Sequence, residues 1–172
     1  MNSNVTVAPI VRQFDGAALL RALEAATARL EAGADEVNAL NVYPVPDGDT
    51  GTNMLHTMRA AVKHAREVEP TIDKVSAAAA YGALMGARGN SGVILSQVIR
   101  GLKEAFAGKE TAEIADVRRA AELARTYAYE AVSAPAPGTI LSLTHPSKSR
   151  PRLRRTTSWR CSAASPQMRR PP

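Results

Sequence analysis

Hydrophobic positions recur every three to four residues through most of this chain, the period of a helix with one buried face. Asp15 is placed to cap a first helix, with Leu19, Leu20, Leu23 and Leu30 along one side and Gly33 as its stop. A loop rich in proline, glycine and aspartate follows. A second helix is expected over about residues 52–68, with Met54, Leu55, Met58, Ala61 and Val62 turned inward and Pro70 ending it. A third, alanine-rich helix covers about residues 72–85. Its small side chains permit close helix packing or leave room for an apolar ligand. The fourth starts at Asn90 and ends near Gly108, and Thr111 opens a fifth that runs to about Val132. Ile114, Val117, Ala121, Leu123 and Ala124 lie roughly on one face of that fifth helix. Short connections favour antiparallel neighbours. No strand pattern competes, and there is no internal repeat.

The first connection carries candidate chemistry. It reads Asn41-Val-Tyr-Pro-Val-Pro-Asp-Gly-Asp-Thr-Gly-Thr-Asn-Met54, with Asp47 and Asp49 separated by one glycine. Pro44 and Pro46 fix backbone angles and remove amide donors, so the segment is a stiff loop. Hard cations such as Mg²⁺ take carboxylate oxygens, usually one or two side chains plus substrate phosphates. By itself the loop fits an acidic surface turn equally well, because Pro-Asp-Gly is common turn chemistry.

A second loop, Gly86-Ala-Arg-Gly-Asn-Ser-Gly92, runs into the apolar start of the fourth helix. Free N–H groups and the positive end of a helix dipole make such a junction an anion site. Ser91 either donates its hydroxyl to a phosphate oxygen or caps the helix. Arg88 either meets phosphate charge or is solvated. The loop lacks the Lys-Ser/Thr of a P-loop, and a helix rather than a strand precedes it, so it is not a dinucleotide fingerprint.

Together, Asp-Gly-Asp-Thr-Gly-Thr-Asn-Met and, about forty residues on, Gly-Ala-Arg-Gly-Asn-Ser-Gly-Val-Ile-Leu-Ser-Gln resemble the dihydroxyacetone-kinase nucleotide-binding domain family. The wording of the first loop is most similar to the N-terminal domain of the fatty-acid kinase catalytic subunit. The resemblance covers about residues 14–141. It implies an all-α fold, an antiparallel barrel of eight helices with ATP at one mouth and Mg²⁺ between phosphates and protein. Carried over by position, Asp47 and Asp49 are metal ligands, and Asn41 stands where the dihydroxyacetone enzymes have a third aspartate. Gly51, Thr52 and Asn53 would line the phosphates and Met54 the nucleotide wall. Gly89, Asn90, Ser91 and Gly92 would hold the phosphate end. The implied reaction is phosphoryl transfer from ATP to a fatty acid on a separate carrier protein, or to dihydroxyacetone on a separate subunit. A non-catalytic ATP-binding remnant is the third alternative.

Composition agrees with one helical domain. Apolar residues make up 45% of the 172, aromatics only 4%, and abundant alanine and leucine favour helix over strand. The longest uncharged small-apolar run, residues 77–87, is too short to span a bilayer. The first twelve residues lack the basic n-region and apolar core of a signal peptide. One cysteine, Cys161, excludes an internal disulfide. A cytoplasmic protein is expected. His56 and His64, eight apart on the second helix, do not form an i, i+4 metal pair and read as surface or packing histidines. No Ser-His-Asp or Cys-His arrangement is evident.

The net charge of +6 comes from the end of the chain. Eight of the 22 basic residues lie after residue 142 with no acid among them, which leaves 14 basic and 16 acidic residues before it. A basic balance suggests a nucleic-acid partner, but the body is mildly acidic and nucleic acid is not expected. From Ser142 helical periodicity disappears, and five prolines fall in the last thirty residues. Such a composition does not bury enough surface to order itself. The favoured expectation is a frameshift or chimeric gene end near codon 142, giving a helical domain over residues 1–141 that is incomplete, with five to six of its eight helices. The alternative is a basic tail for nucleic acid or acidic membrane. An open barrel exposes apolar faces and invites self-association, a homodimer for instance.

Overall fold

The computed structural model describes residues 13–42, 46–133 and 139–144. The expectations for the first twelve residues, for Pro44 and for all but the start of the basic segment, Trp159 and Cys161 included, lie outside the described residues.

The architecture is helical, as expected. The elements are β1 (Gln13–Asp15), α1 (Gly16–Ala39), α2 (Thr50–Ala65), α3 (Ile72–Gly86), α4 (Gly89–Phe106), β2 (Thr111–Glu113), α5 (Ile114–Glu130) and a 3₁₀ turn over Ile140–Thr144. Each helix packs against the next in sequence, with α1 also on α3 and α2 on α4. Leu19, Leu23, Met58, Ala61, Val62, Ile72, Val75 and Phe106 anchor one shared core. A smaller cluster joins Ile94, Ala128 and Leu141, so the residues expected to begin a sixth helix form the 3₁₀ turn with Leu141 buried.

Asp15 caps α1 as expected, its Oδ1 accepting from Ala18 N at 2.8 Å. The stop at Gly33 is corrected: α1 continues to Ala39. A glycine inside a helix costs about 1 kcal/mol relative to alanine, yet the helix continues past it with Ala34 buried. α2 begins at Thr50 and ends at Ala65, short of Val68. Leu55, Met58, Ala61 and Val62 point inward, but Met54 is only half-buried.

Two further expectations are corrected. A two-stranded antiparallel sheet is present, pairing Gln13 with Glu113, Phe14 with Ala112 and Asp15 with Thr111. Its strands are three residues each, too short to show a period of two. α5 therefore starts at Ile114, after the strand that Thr111 opens. Its buried face is Ala120, Ala124 and Ala128, while Ile114, Val117 and Ala121 are exposed. The reason is the close approach of α4: a β-carbon at Gly101 would lie 2.3 Å from Ala124 N. Only small side chains fit such a crossing, so Ile114 and Val117 face outward, whereas Ala124 is buried and half-buried Leu123 packs against the core, as expected.

Candidate functional site

α1 and α3 end, and α2 and α4 begin, at one end of the molecule, and both sequence motifs lie there. The aspartate loop links α1 to α2. Gly48 takes φ 65° at its centre, a conformation that glycine adopts without a Cβ clash. Asp49 is the residue before α2, and its carbonyl accepts from Asn53 N at 2.8 Å. Asp47 and Asp49 are both exposed. Asn41 is half-buried and its side-chain amide donates to Asp47 Oδ1. The three positions with metal-binding potential thus lie on one loop, with Asn41 and Asp47 in contact.

The glycine loop meets the start of α2. Gly89 opens α4 at φ 58°, and a β-carbon there would lie 2.5 Å from Asn53 Nδ2. One at Gly92 would lie 2.6 Å from Thr57 Oγ1. Ser91 Oγ donates to Thr50 Oγ1 at 3.4 Å, a long contact. Two helix N-termini therefore converge with a carboxylate pair on the adjoining loop. Such termini present N–H groups and partial positive charge to anions.

The two termini differ. In α2, Asn38 Oδ1 accepts from Gly51 N at 2.8 Å and Thr52 N at 3.2 Å. In α4 the residue before the helix is Arg88, which makes no capping hydrogen bond, and the first intrahelical bond runs from Gly92 N to Arg88 O at 3.0 Å. The amides of Gly89, Asn90 and Ser91 precede that bond and have no intrahelical acceptor. Arg88 is exposed and forms no ion pair among the described residues.

The described residues singled out in the two motifs all lie at this end of the fold. Thr52 is exposed; Asn53, Met54 and Ser91 are half-buried; Gly51 and Gly92 are buried; Gly89 and Asn90 are exposed. Sequence reasoning missed Asn38, Thr50 and Thr57. Asn38 was out of view because the first helix was stopped at Gly33. Thr57 sits on the same face as Asn53, one turn on, and its hydroxyl donates to Asn53 O at 2.9 Å.

Other candidates remain structural. His56 is exposed, and half-buried His64 has Nδ1 3.0 Å from Ala60 O, with its ring edge-on to Tyr81. Among the described residues no three His, Cys, Asp or Glu side chains gather as a metal cluster. None of their helices is long and apolar enough to cross a membrane. A groove of about 570 Å³ between α1 and α2 holds none of the loop residues. It is edged by the exposed pairs Arg59–Glu31 and Arg66–Glu24, which contribute little to stability or recognition.

The DAK2 domain family model matches residues 44–160, an interval that runs past residue 142. The chain is 41% identical to protein YloV of Bacillus subtilis over 134 residues, 77% of this chain and 24% of that protein. It is 40% identical to a protein of Staphylococcus saprophyticus over 137 residues, 78% of this chain and 24% of that protein. The chain spans about a quarter of the length of these relatives. It belongs to the DAK2 domain family and is a nucleotide-binding, kinase-associated domain.

Proposed function

We propose that this chain is the ATP-binding domain of a kinase that transfers the γ-phosphate of ATP to a fatty acid presented by a separate carrier protein, in the cytoplasm. One observation carries the reading. Two loops about forty residues apart in sequence meet at one end of the fold, one acidic and one leading into a helix whose first amides have no intrahelical acceptor, with Gly89 against Asn53.

The donor set suits Mg²⁺. Asp47 and Asp49 are exposed carboxylates, and Asn41 adds an amide oxygen, so every candidate ligand atom is a hard oxygen. Two carboxylates are enough where phosphates and water complete the shell. When bound, Mg²⁺ neutralises phosphate charge. The protein's own part is positioning, which is most of the catalysis in phosphoryl transfer. The amides of Gly89, Asn90 and Ser91, which have no intrahelical acceptor, would meet the phosphate end, with the Thr52 hydroxyl and the Asn53 amide on the adjoining helix start. Half-buried Met54 offers an apolar wall. No side chain here is assigned as a general base.

The loop wording favours the fatty acid over dihydroxyacetone as acceptor. The second reading is an ATP-binding module without turnover, in which the same site binds nucleotide and no acceptor is phosphorylated. Titration calorimetry with ATP, with and without Mg²⁺, tests the site. Mg²⁺-dependent binding that disappears in an Asp47→Ala, Asp49→Ala double variant is expected. A folded chain that binds no ATP would refute the reading. Turnover with a fatty acid and its carrier separates the kinase from the binding module.

A further inference from the structure

Asn38, in the last turn of α1, meets the start of α2 through three hydrogen bonds. Its Oδ1 accepts from Gly51 N and Thr52 N, and its Nδ2 donates to Thr52 Oγ1 at 3.0 Å. The direction of each bond is fixed by elimination. Backbone N–H groups only donate, so the side-chain atom that meets two of them is the amide oxygen. The other end of the amide is then the NH₂, which only donates. Thr52 Oγ1 must therefore accept. Among the described residues the Thr52 hydroxyl donates to nothing, so its hydrogen is left for a ligand at the exposed mouth.

We propose that Asn38 is a positioning residue that turns the Thr52 hydroxyl into a hydrogen-bond donor for a nucleotide phosphate. The proposal rests on the nucleotide reading above and deepens it. Asn38 also occupies two α2 amides, so the amide donors for phosphate come from α4, at Gly89, Asn90 and Ser91. The aspartate loop folds back over the same residue: a β-carbon at Gly48 would lie 3.9 Å from Asn38 O. The Asn38 side chain itself bonds only α2, and it sets the Thr52 hydroxyl at the helix start beside that loop.

Asn38→Asp isolates the effect. A carboxylate still accepts from both amides and is favoured at a helix N-terminus, but it cannot donate to Thr52. The Thr52 hydroxyl would then donate to the carboxylate and be withdrawn from the ligand. Hydrogen bonds to charged groups are strong enough that losing one weakens binding about 10- to 100-fold.

The test is calorimetric titration of the full chain with ATP and Mg²⁺, on the unsubstituted chain, Asn38→Asp, Thr52→Val and the double variant. Each single change is expected to weaken binding about 10- to 100-fold, and the double variant no further. Amide exchange at Gly51 and Thr52 should stay slow in Asn38→Asp and become fast in Asn38→Ala. Three results would overturn the inference: Asn38→Asp binding as the unsubstituted chain does, losses that add in the double variant as plain charge repulsion requires, or slow exchange in Asn38→Ala. An unsubstituted chain that is folded but binds no ATP defeats the nucleotide reading itself, and this inference with it.

Discussion

Gly89 and Asn53 are in contact across the two motifs: a β-carbon on Gly89 would sit 2.5 Å from Asn53 Nδ2, and Gly89 takes φ 58°. The contact joins the start of α4 to the first turn of α2. The positive φ favours glycine, because left-handed backbone costs an L-residue roughly 1–2 kcal/mol, and a side chain at this position would displace the Asn53 amide.

Gly89→Ala should therefore reduce nucleotide affinity while lowering stability by only about 1–2 kcal/mol. The amide nitrogen of Asn53 belongs to a side chain that can move, and moving it reshapes the mouth. Paired calorimetric titration and thermal melting check this. A variant that binds ATP like the unsubstituted chain would remove the Gly89–Asn53 contact from the site.

Gly101→Ala should act on stability. Its β-carbon would meet Ala124 N at 2.3 Å and Ala124 Cα at 2.5 Å, which are backbone atoms on a neighbouring helix. Overpacking of this kind costs about 1–3 kcal/mol, here by forcing α4 and α5 apart. Melting curves should show the drop, and a variant as stable as its parent would contradict the close crossing.

Asp116 gives the start of α5 a pH dependence. Its Oδ2 accepts from Glu113 N at 3.0 Å, and Lys109 lies 3.0 Å from Oδ1. The hydrogen bond from the Glu113 amide, and next the contact with Lys109, hold its carboxyl below the usual range. A lowered folded value stabilises the protein above the ordinary carboxylate range, and this contribution is lost as pH falls through the lowered value. Asp116→Ala should cost about 1 kcal/mol at neutral pH, as loss of a helix cap does. The difference from the parent should close at acid pH, as read by denaturant titration at several pH values.

We propose that residues 145–172 lie outside the nucleotide-binding unit. A chain cut after Thr144 is then expected to bind ATP and melt like the full chain. Lost binding would return the segment to the domain, consistent with a family match that runs to residue 160. Salt-dependent DNA binding that vanishes with the cut would instead support a nucleic-acid role for it. Reading the gene in its other frames near codon 142 checks the frameshift: a continuing helical pattern supports it, and its absence refutes it.

Helical periodicity, the Asp15 cap and the two loop motifs were legible in the sequence because each depends on neighbours close along the chain. Leucines spaced by turns of helix predict which face is buried wherever the partner is a broad core, as along α1 and α2. The chemistry of the loops was equally local: paired aspartates around a glycine, and glycines before a helix, look the same before and after folding.

Tertiary structure decided the rest. Local propensity stops a helix at Gly33, yet α1 runs on to Ala39 with Ala34 buried where it packs on α2, which brings Asn38 within reach of Thr52. Periodicity placed Ile114, Val117, Ala121, Leu123 and Ala124 on the inner face of α5; Ala124 and half-buried Leu123 do face the core, but the approach of α4 at Gly101 puts Ala120, Ala124 and Ala128 at the buried crossing and leaves Ile114, Val117 and Ala121 exposed. The pairing of residues 13–15 with 111–113 joins segments about a hundred residues apart that no local pattern connects. The site itself follows the same division: each motif names its own residues, whereas the contact of Gly89 with Asn53 exists only because α2 and α4 pack side by side.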